Sequence, residues 1–328
     1  MNFRKVLRRN EFYIFILVLL FSAVVTGRNP VFLSPGNLLS LLKTSSGSAI
    51  LAVGVLMVLV SGGFDVSSTA IAICAQYITV TFMIAHGLDH IGVAFGIAIL
   101  VGTLLGSVNA VFVAFFRLPT LIVTLGTASL FHGALLEFLG TKAVNLGELP
   151  SCFKHFGGAT GSVSGPLTFF AVLCAVVAVT WFILGHTLTG RGIYAIGGDI
   201  EAARNSGFRV KRIQFFLYCY VGLLAGIAGV LHLCLIRYSN PNYLVGTEMG
   251  IIAAVVLGGA RITGGTGTLT GTMLGMALIV IVQKNLVLLG LSSYWEQFFI
   301  GAVLTLGVAL TYGDLGSLFR RRRSGGLA

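Results

Sequence analysis

The feature that most restricts this chain is a succession of apolar runs, beginning near residues 12, 44, 66, 91, 120, 167, 215, 249, 268 and 296. A helix rises about 1.5 Å per residue and the hydrocarbon core of a bilayer is about 30 Å thick, so about 20 apolar residues make one crossing. Each run is long enough, or nearly so. Within lipid every backbone polar group must find its partner inside the protein, and continuous apolar runs of this length satisfy that as helices. The expectation is an all-α, polytopic transmembrane protein of about ten spans, forming a single transmembrane domain over residues 1–328. Because the run at 249 is short and the break between 60 and 66 is slight, eight to eleven spans fit the pattern. Composition agrees. Only 9% of the residues are charged and 56% are hydrophobic, against about 25% charged in an average soluble domain.

A formal net charge of +11 raises the question of nucleic acid, but the basic residues flank apolar runs and read as membrane topology. With ten spans and a cytoplasmic N-terminus, the inner side receives Arg4, Lys5, Arg8, Arg9, Arg117, Arg191, Arg204, Arg209, Lys211, Arg212, Arg261 and Arg320 to Arg323. The outer side or span ends receive Arg28, Lys43, Lys142, Lys154, Arg237 and Lys284. All 21 cations are thereby placed, 15 against 6, which follows the positive-inside rule and puts both termini in the cytoplasm. The basic start followed by the apolar run Phe12 to Thr26 imitates a secretory signal. No small-x-small cleavage pattern follows it, so an uncleaved first helix is expected.

Catalytic motifs are missing from the sequence. The dipeptide Gly-Lys does not occur, so there is no phosphate-binding loop of the GxxxxGK[ST] kind, and neither GxSxG nor HExxH is present. The five cysteines show no metal or disulfide spacing. The "HGLDH" turn holds His86, Asp89 and His90 close together, a spacing that suits a metal in principle and a polar turn between spans more simply. Ion-coupled carriers place ionisable groups deep in helices. Here Asp65, Asp89, Glu248, Glu296 and Asp314 fall at or near span ends, and Glu137 nears the outer end of its run. That distribution weakens the alternative of an ion-coupled secondary transporter of a small polar solute.

Two glycine-rich interruptions, "SGGFDVSST" at 61–69 and "LGGARITGGTGTLTG" at 257–271, read either as discontinuous helices or as tight cytoplasmic turns. Between them lies a charged island, "GGDIEAARNSGF". Asp199 can cap a seven-residue helix from Ile200 to Ser206, with Glu201 in its first turn, Arg204 three residues on, and Gly207 as a stop. Isolated helices this short are marginal in water, so something must hold it.

The segments "GRGIYAIGGDIEAARNSGFRVKRIQFFLY", "GLLAGIAGVL", "IIAAVVLGGARITGGTGTLTGTMLG" and "LVLLGLSSYWEQFFIGAVLTLGVAL" closely resemble the permease subunits of bacterial ribose-type sugar ABC importers. "SGGFDVSS" and "LPTLIVTLGTASL" resemble that family's upstream landmarks, so the likeness covers nearly the whole chain. It implies a multi-pass protein of the bacterial cytoplasmic membrane that is not itself an enzyme and holds no cofactor. A sugar or sugar-like molecule delivered by an external binding protein would be imported by alternating access. ATP would be bound by two partner ATPase subunits or one tandem ATPase, beside a second permease copy or a sister permease. The loop within 186–213 then matches the family's coupling helix, with Gly198, Asp199, Glu201, Ala202, Ala203, Arg204, Ser206 and Gly207 as its residues and the small Ala202, Ala203 and Ser206 suited to a groove in the ATPase. Candidates for lining or gating the path are Asp65, Ser67, Asn109, Thr124 and, in the second break, Gly258, Gly259, Gly264 and Gly265. The same polar residues are open to a second reading, hydrogen bonding between helices of one subunit. Two departures from the family pattern, Val66 to Thr69 after the aspartate and His132 where an arginine is common, bear on helix packing and on the identity of the sugar.

Overall fold

The computed structural model describes residues 10–156, 158, 164–285 and scattered positions between 292 and 305. The expected tenth span near 296 and the terminal basic clusters lie outside the described residues, apart from those scattered positions. In chain order the helices are α1 (Asn10–Arg28), α2 (Pro35–Val60), α3 (Ser68–Ala85), α4 (Ile91–Ala114), α5 (Thr120–Leu139), α6 (Ser151–Phe156), α7 (Ser164–His186), α8 (Leu188–Gly198), α9 (Ile200–Asn205), α10 (Val210–Ile236), α11 (Glu248–Leu257) and α12 (Leu269–Asn285), with a 3-10 turn at Pro30–Leu33. Seven of them (α1 to α5, α7 and α10) are long and apolar enough to cross a membrane. The runs near 249 and 268 instead form helices of 10 and 17 residues, separated by the second glycine break. The second span begins earlier than its apolar run, at Pro35, because proline suits the first helical position and Ser34 Oγ accepts from Asn37 N at 3.3 Å.

The core is built on α2, α3, α4 and α10. Lipid tails are as apolar as leucine side chains, so helices in a membrane associate through close packing of small residues rather than through a hydrophobic drive. α4 and α10 do this with two matched pairs spaced four apart, Gly102 and Gly106 against Gly222 and Gly226. A Cβ on Gly102 would lie 2.3 Å from Gly222 O, and one on Gly222 would lie 2.2 Å from Gly102 O. Only glycine permits that approach.

The segments between spans gather at two ends. At one end meet the first break after Val60, the turn at 115–119, α8 and α9, and the second break; Arg117, Arg204, Arg209, Lys211 and Arg212 line a common cleft there. At the other end Val144 and Ser239 form an antiparallel bridge, and Arg237 Nη2 donates to Gly158 O at 2.6 Å and Lys154 O at 3.2 Å. The "HGLDH" groups are turned to separate tasks here. His86 Nδ1 lies 2.9 Å from Phe82 O, and His90 Nδ1 accepts from Gly92 N at 3.1 Å. Asp89 caps α6, its Oδ2 accepting from Ser151 Oγ and its Oδ1 from Cys152 N at 2.7 Å. Those bonds, Ser151's first, hold the Asp89 carboxyl down at about 2.

Candidate functional site: a short helix mounted on two chain breaks

The charged island is a helix, one residue shorter than expected. Asp199 Oδ1 accepts from Glu201 N at 2.8 Å and Ala202 N at 2.9 Å, satisfying two of the donors that a helix start leaves without partners. Glu201 and Arg204 pair at 2.9 Å along the exposed face. Ser206 closes the helix rather than belonging to it, and Gly207 follows with φ of +87°, a left-handed conformation open to glycine. Ile200, Glu201, Ala202, Arg204, Asn205 and Ser206 are exposed. Ala203, expected to join Ala202 and Ser206 in a partner groove, is 3% exposed and packs into this chain's own core. The reason is helical geometry: on a helix of one and a half turns, the side opposite the exposed residues must seat on the molecule beneath it. Beside α9 the basic cleft encloses about 880 Å³, lined by Arg117, Arg209, Lys211 and Arg212 as well as by Glu201 and Arg204.

The mounting of this helix was not foreseen. α8 precedes it, and at the end of α8 Gly197 is wedged between the two breaks. A Cβ on Gly197 would fall 1.8 Å from Val60 O and 2.6 Å from Gly265 N, the very atoms that make a 2.9 Å hydrogen bond linking the first break to the second. Gly264 stands as close, its added Cβ falling 2.7 Å from both Gly197 O and Gly62 Cα. Tyr194 OH, one turn earlier on α8, donates to Gly267 O at 2.9 Å. Three backbone segments therefore touch without side chains between them. Of the second break's candidates, Gly264 and Gly265 belong to this junction. Gly258 instead packs on α12, where an added Cβ would meet Gly271 O at 2.6 Å, and Gly259 makes the turn with φ of +92°.

Asp65, Ser67 and Asn109 are joined in a hydrogen-bonded cluster, and Thr124 bonds the backbone of the same break. Asp65 Oδ1 accepts from Ser67 N at 2.8 Å and Ser67 Oγ at 2.6 Å, and Asn109 Nδ2 donates to Ser67 Oγ at 2.7 Å. Thr124 Oγ1 accepts from Val66 N at 3.3 Å, and Thr120 Oγ1 accepts from Phe64 N at 2.9 Å. All four candidates are 1% exposed or less, so they pin the first break to α4 and α5 and line no open path in this conformation. Asp65 is thus not at a solvated span end: the chain turns back inside the protein after Val60 and re-enters a helix at Ser68. Glu137, by contrast, is exposed.

Sequence reasoning also missed Gln76, a fully buried amide in the middle of α3. Its Nε2 donates to Ser239 Oγ at 3.1 Å and its Oε1 lies 2.9 Å from His232 Nδ1. Its one signal was a lone amide inside an apolar run.

A membrane-embedded helical body, two broken chain segments and a short polar helix standing on both define the permease component of a transport system. Residues 37–308 match the family described as branched-chain amino acid transport system / permease component, and the chain belongs to that family. It is 33% identical to the ribose import permease protein RbsC of Escherichia coli (strain K12) over 296 residues, 89% of this chain and 91% of that one. It is also 33% identical to the autoinducer 2 import system permease protein LsrC of Enterobacter sp. (strain 638) over 321 residues, 98% of this chain and 91% of the relative. The ribose import permease RbsC of Haemophilus influenzae is 31% identical over 299 residues, 90% of each chain. No solved structure matches this chain.

Proposed function

We propose that this chain is the permease subunit of an ATP-driven importer in the bacterial cytoplasmic membrane, taking up a sugar or sugar-like molecule handed over by an external binding protein. ATP is hydrolysed by separate subunits, two of them or one tandem ATPase, and the chain works beside a second permease copy or a sister permease. It holds no cofactor of its own. The observation that carries the reading is α9: an exposed, capped, six-residue helix joined through Gly197 to both chain breaks. A helix below roughly 12 residues gains little stability from its own hydrogen bonds, so its position comes from the frame beneath it and its exposed face is free for a partner. The basic cleft alongside suits an acidic surface on that partner. The relatives' names, ribose import and autoinducer 2 import, support a small polyhydroxylated cargo over an amino acid.

The test is uptake of D-ribose and related sugars by cells carrying the complete transporter. Depleting ATP should abolish uptake, and collapsing the ion gradients at constant ATP should leave it unchanged. Uptake that follows the ion gradients instead would overturn the proposal.

A further inference from the structure

α11 is 10 residues long, so it spans about 15 Å. Its C-terminal end leads into the second break and hence to the Gly197 junction at the basic end. Its first residue, Glu248, therefore stands inside a core about 30 Å thick, short of the outer face. Contacts with α3 give the direction of this descent. Ser239 bonds to Gln76 at the middle of α3, whereas Glu248 Oε2 accepts from Thr69 Oγ1 at 3.3 Å, seven residues or about 10 Å nearer the basic end. The chain from Ser239 to Thr247 thus descends within the membrane toward the basic end without forming a helix. Non-helical backbone is tolerated at such depth only where protein buries it or water bathes it. From Asn242 on it is not buried within this chain: Asn242, Gly246 and Thr247 are exposed, and Tyr243 is 52% exposed.

We infer that residues 242–248, with the facing side of α5, line a water-filled path and form a recognition strip for a neutral polyhydroxylated solute. This rests on the transport reading above and places its solute path away from the buried Asp65 cluster. Asn242 Oδ1 lies 3.0 Å from His132 Nε2, which ties the strip to α5 and assigns a role to the unusual His132. A sugar offers vicinal hydroxyls on its edge and C–H groups on its face. The Glu248 carboxylate accepts hydroxyl protons, the Asn242 amide both donates and accepts, and Tyr243, held 5.3 Å from the His232 ring, offers an aromatic face. Few convergent polar groups against an aromatic wall is the usual make-up of a small-molecule site.

The test uses the full chain in intact cells, with Cys152 and Cys174 replaced by serine, and a membrane-impermeant charged thiol reagent. Thr247→Cys should be labelled from outside. Leu100→Cys, 61% exposed midway along α4 but facing lipid on this reading, should not be, although both positions count as exposed. A panel of neutral pentoses and hexoses, D-ribose first, should slow the labelling of Thr247→Cys. Glu248→Gln should raise the half-saturating concentration for uptake about tenfold, since hydrogen bonds to a charged group are worth about 1.5–3 kcal/mol, while the maximal rate changes less. Failure of Thr247→Cys to label overturns the path. Labelling that no sugar slows, with unchanged half-saturation in Glu248→Gln, overturns the recognition strip. Neither labelling result depends on whether uptake is driven by ATP, so failure here and failure of the importer reading are told apart.

Discussion

Replacing Gly197 by alanine should damage this protein, and replacing its neighbour Gly198 should not. An alanine Cβ at 197 would sit 1.8 Å from Val60 O, whereas Cβ contacts below 3.0 Å are essentially never seen, so the junction must open by about 1.2 Å. The 2.9 Å bond from Gly265 N to Val60 O runs through that space and would be lost. Leaving a buried backbone pair unmade costs about 1–3 kcal/mol, and overpacking a tight contact costs about 1–3 kcal/mol more. The expected loss is therefore about 2–6 kcal/mol, a large part of a typical stability of about 5–15 kcal/mol. At Gly198 nothing lies within 4 Å of an added Cβ. There alanine's better helix propensity gives a gain of up to about 1 kcal/mol at most. Thermal unfolding of each purified full chain in lipid nanodiscs, with sugar uptake measured in cells, compares two substitutions of the same chemistry one residue apart. Gly197→Ala should melt well below the wild type and transport poorly. If the two variants melt together and transport equally, the backbone junction does not hold α9 and the reasoning fails.

On α9 itself, Ala202→Glu should insert and fold normally but lose co-purifying ATPase, because Ala202 is exposed, whereas Ala203→Glu should fail at folding because Ala203 is buried; equal behaviour of the two would contradict the helix orientation. At the opposite end, burial and then the Asp89 carboxylate push the Cys152 thiol up to about 12, so Asp89→Asn should speed maleimide labelling of Cys152 between pH 7 and 9, and an unchanged rate would refute the cap. The depressed Asp89 carboxyl stabilises its loop above the ordinary carboxylate range near pH 4 and loses that contribution as pH falls towards about 2; labelling of wild-type Cys152 after brief exposure to that window should show the loop loosened, and Asp89→Asn should show no such step. For topology, a reporter active only in the cytoplasm should give signal when fused after Arg323 and none when inserted near Glu148; the reverse pattern would invert the orientation.

What the sequence made legible follows the physics that acts locally. Apolar length located the spans, since crossing lipid is a property of one segment at a time. Asp199, Glu201 and Gly207 announced α9 because capping is settled within a few residues. The cations of the cleft gather at one end of the molecule, and a rule that counts charges without needing contacts already groups them on one side. What stayed hidden depends on which segments meet. Gly197 looks like any glycine in "AIGGD" until Val60 and Gly265 are found against it, and Ala202 and Ala203 cannot be told apart until the helix is seated. Asp65 stands close in sequence to the end of a span, yet it is 1% exposed and its Oδ1 is bonded to Ser67. Glu248 also stands near a span end in sequence. It begins a helix, and helix starts in membrane proteins are usually at the surface, but α11 is too short to reach the outer face, so its start falls inside. On the path reading, equating the end of a helix with the edge of the membrane does not hold at either residue. Broken helices are where that equation fails, and a backbone left open at mid-depth must be answered by protein or by water. At Asp65 the answer is protein, through Ser67, Asn109 and Thr124. Along 242–248 the exposed Asn242 and Thr247 leave water as the answer, which is why the polar residues that sequence alone favours for a path are the packed ones and those it passes over are the open ones.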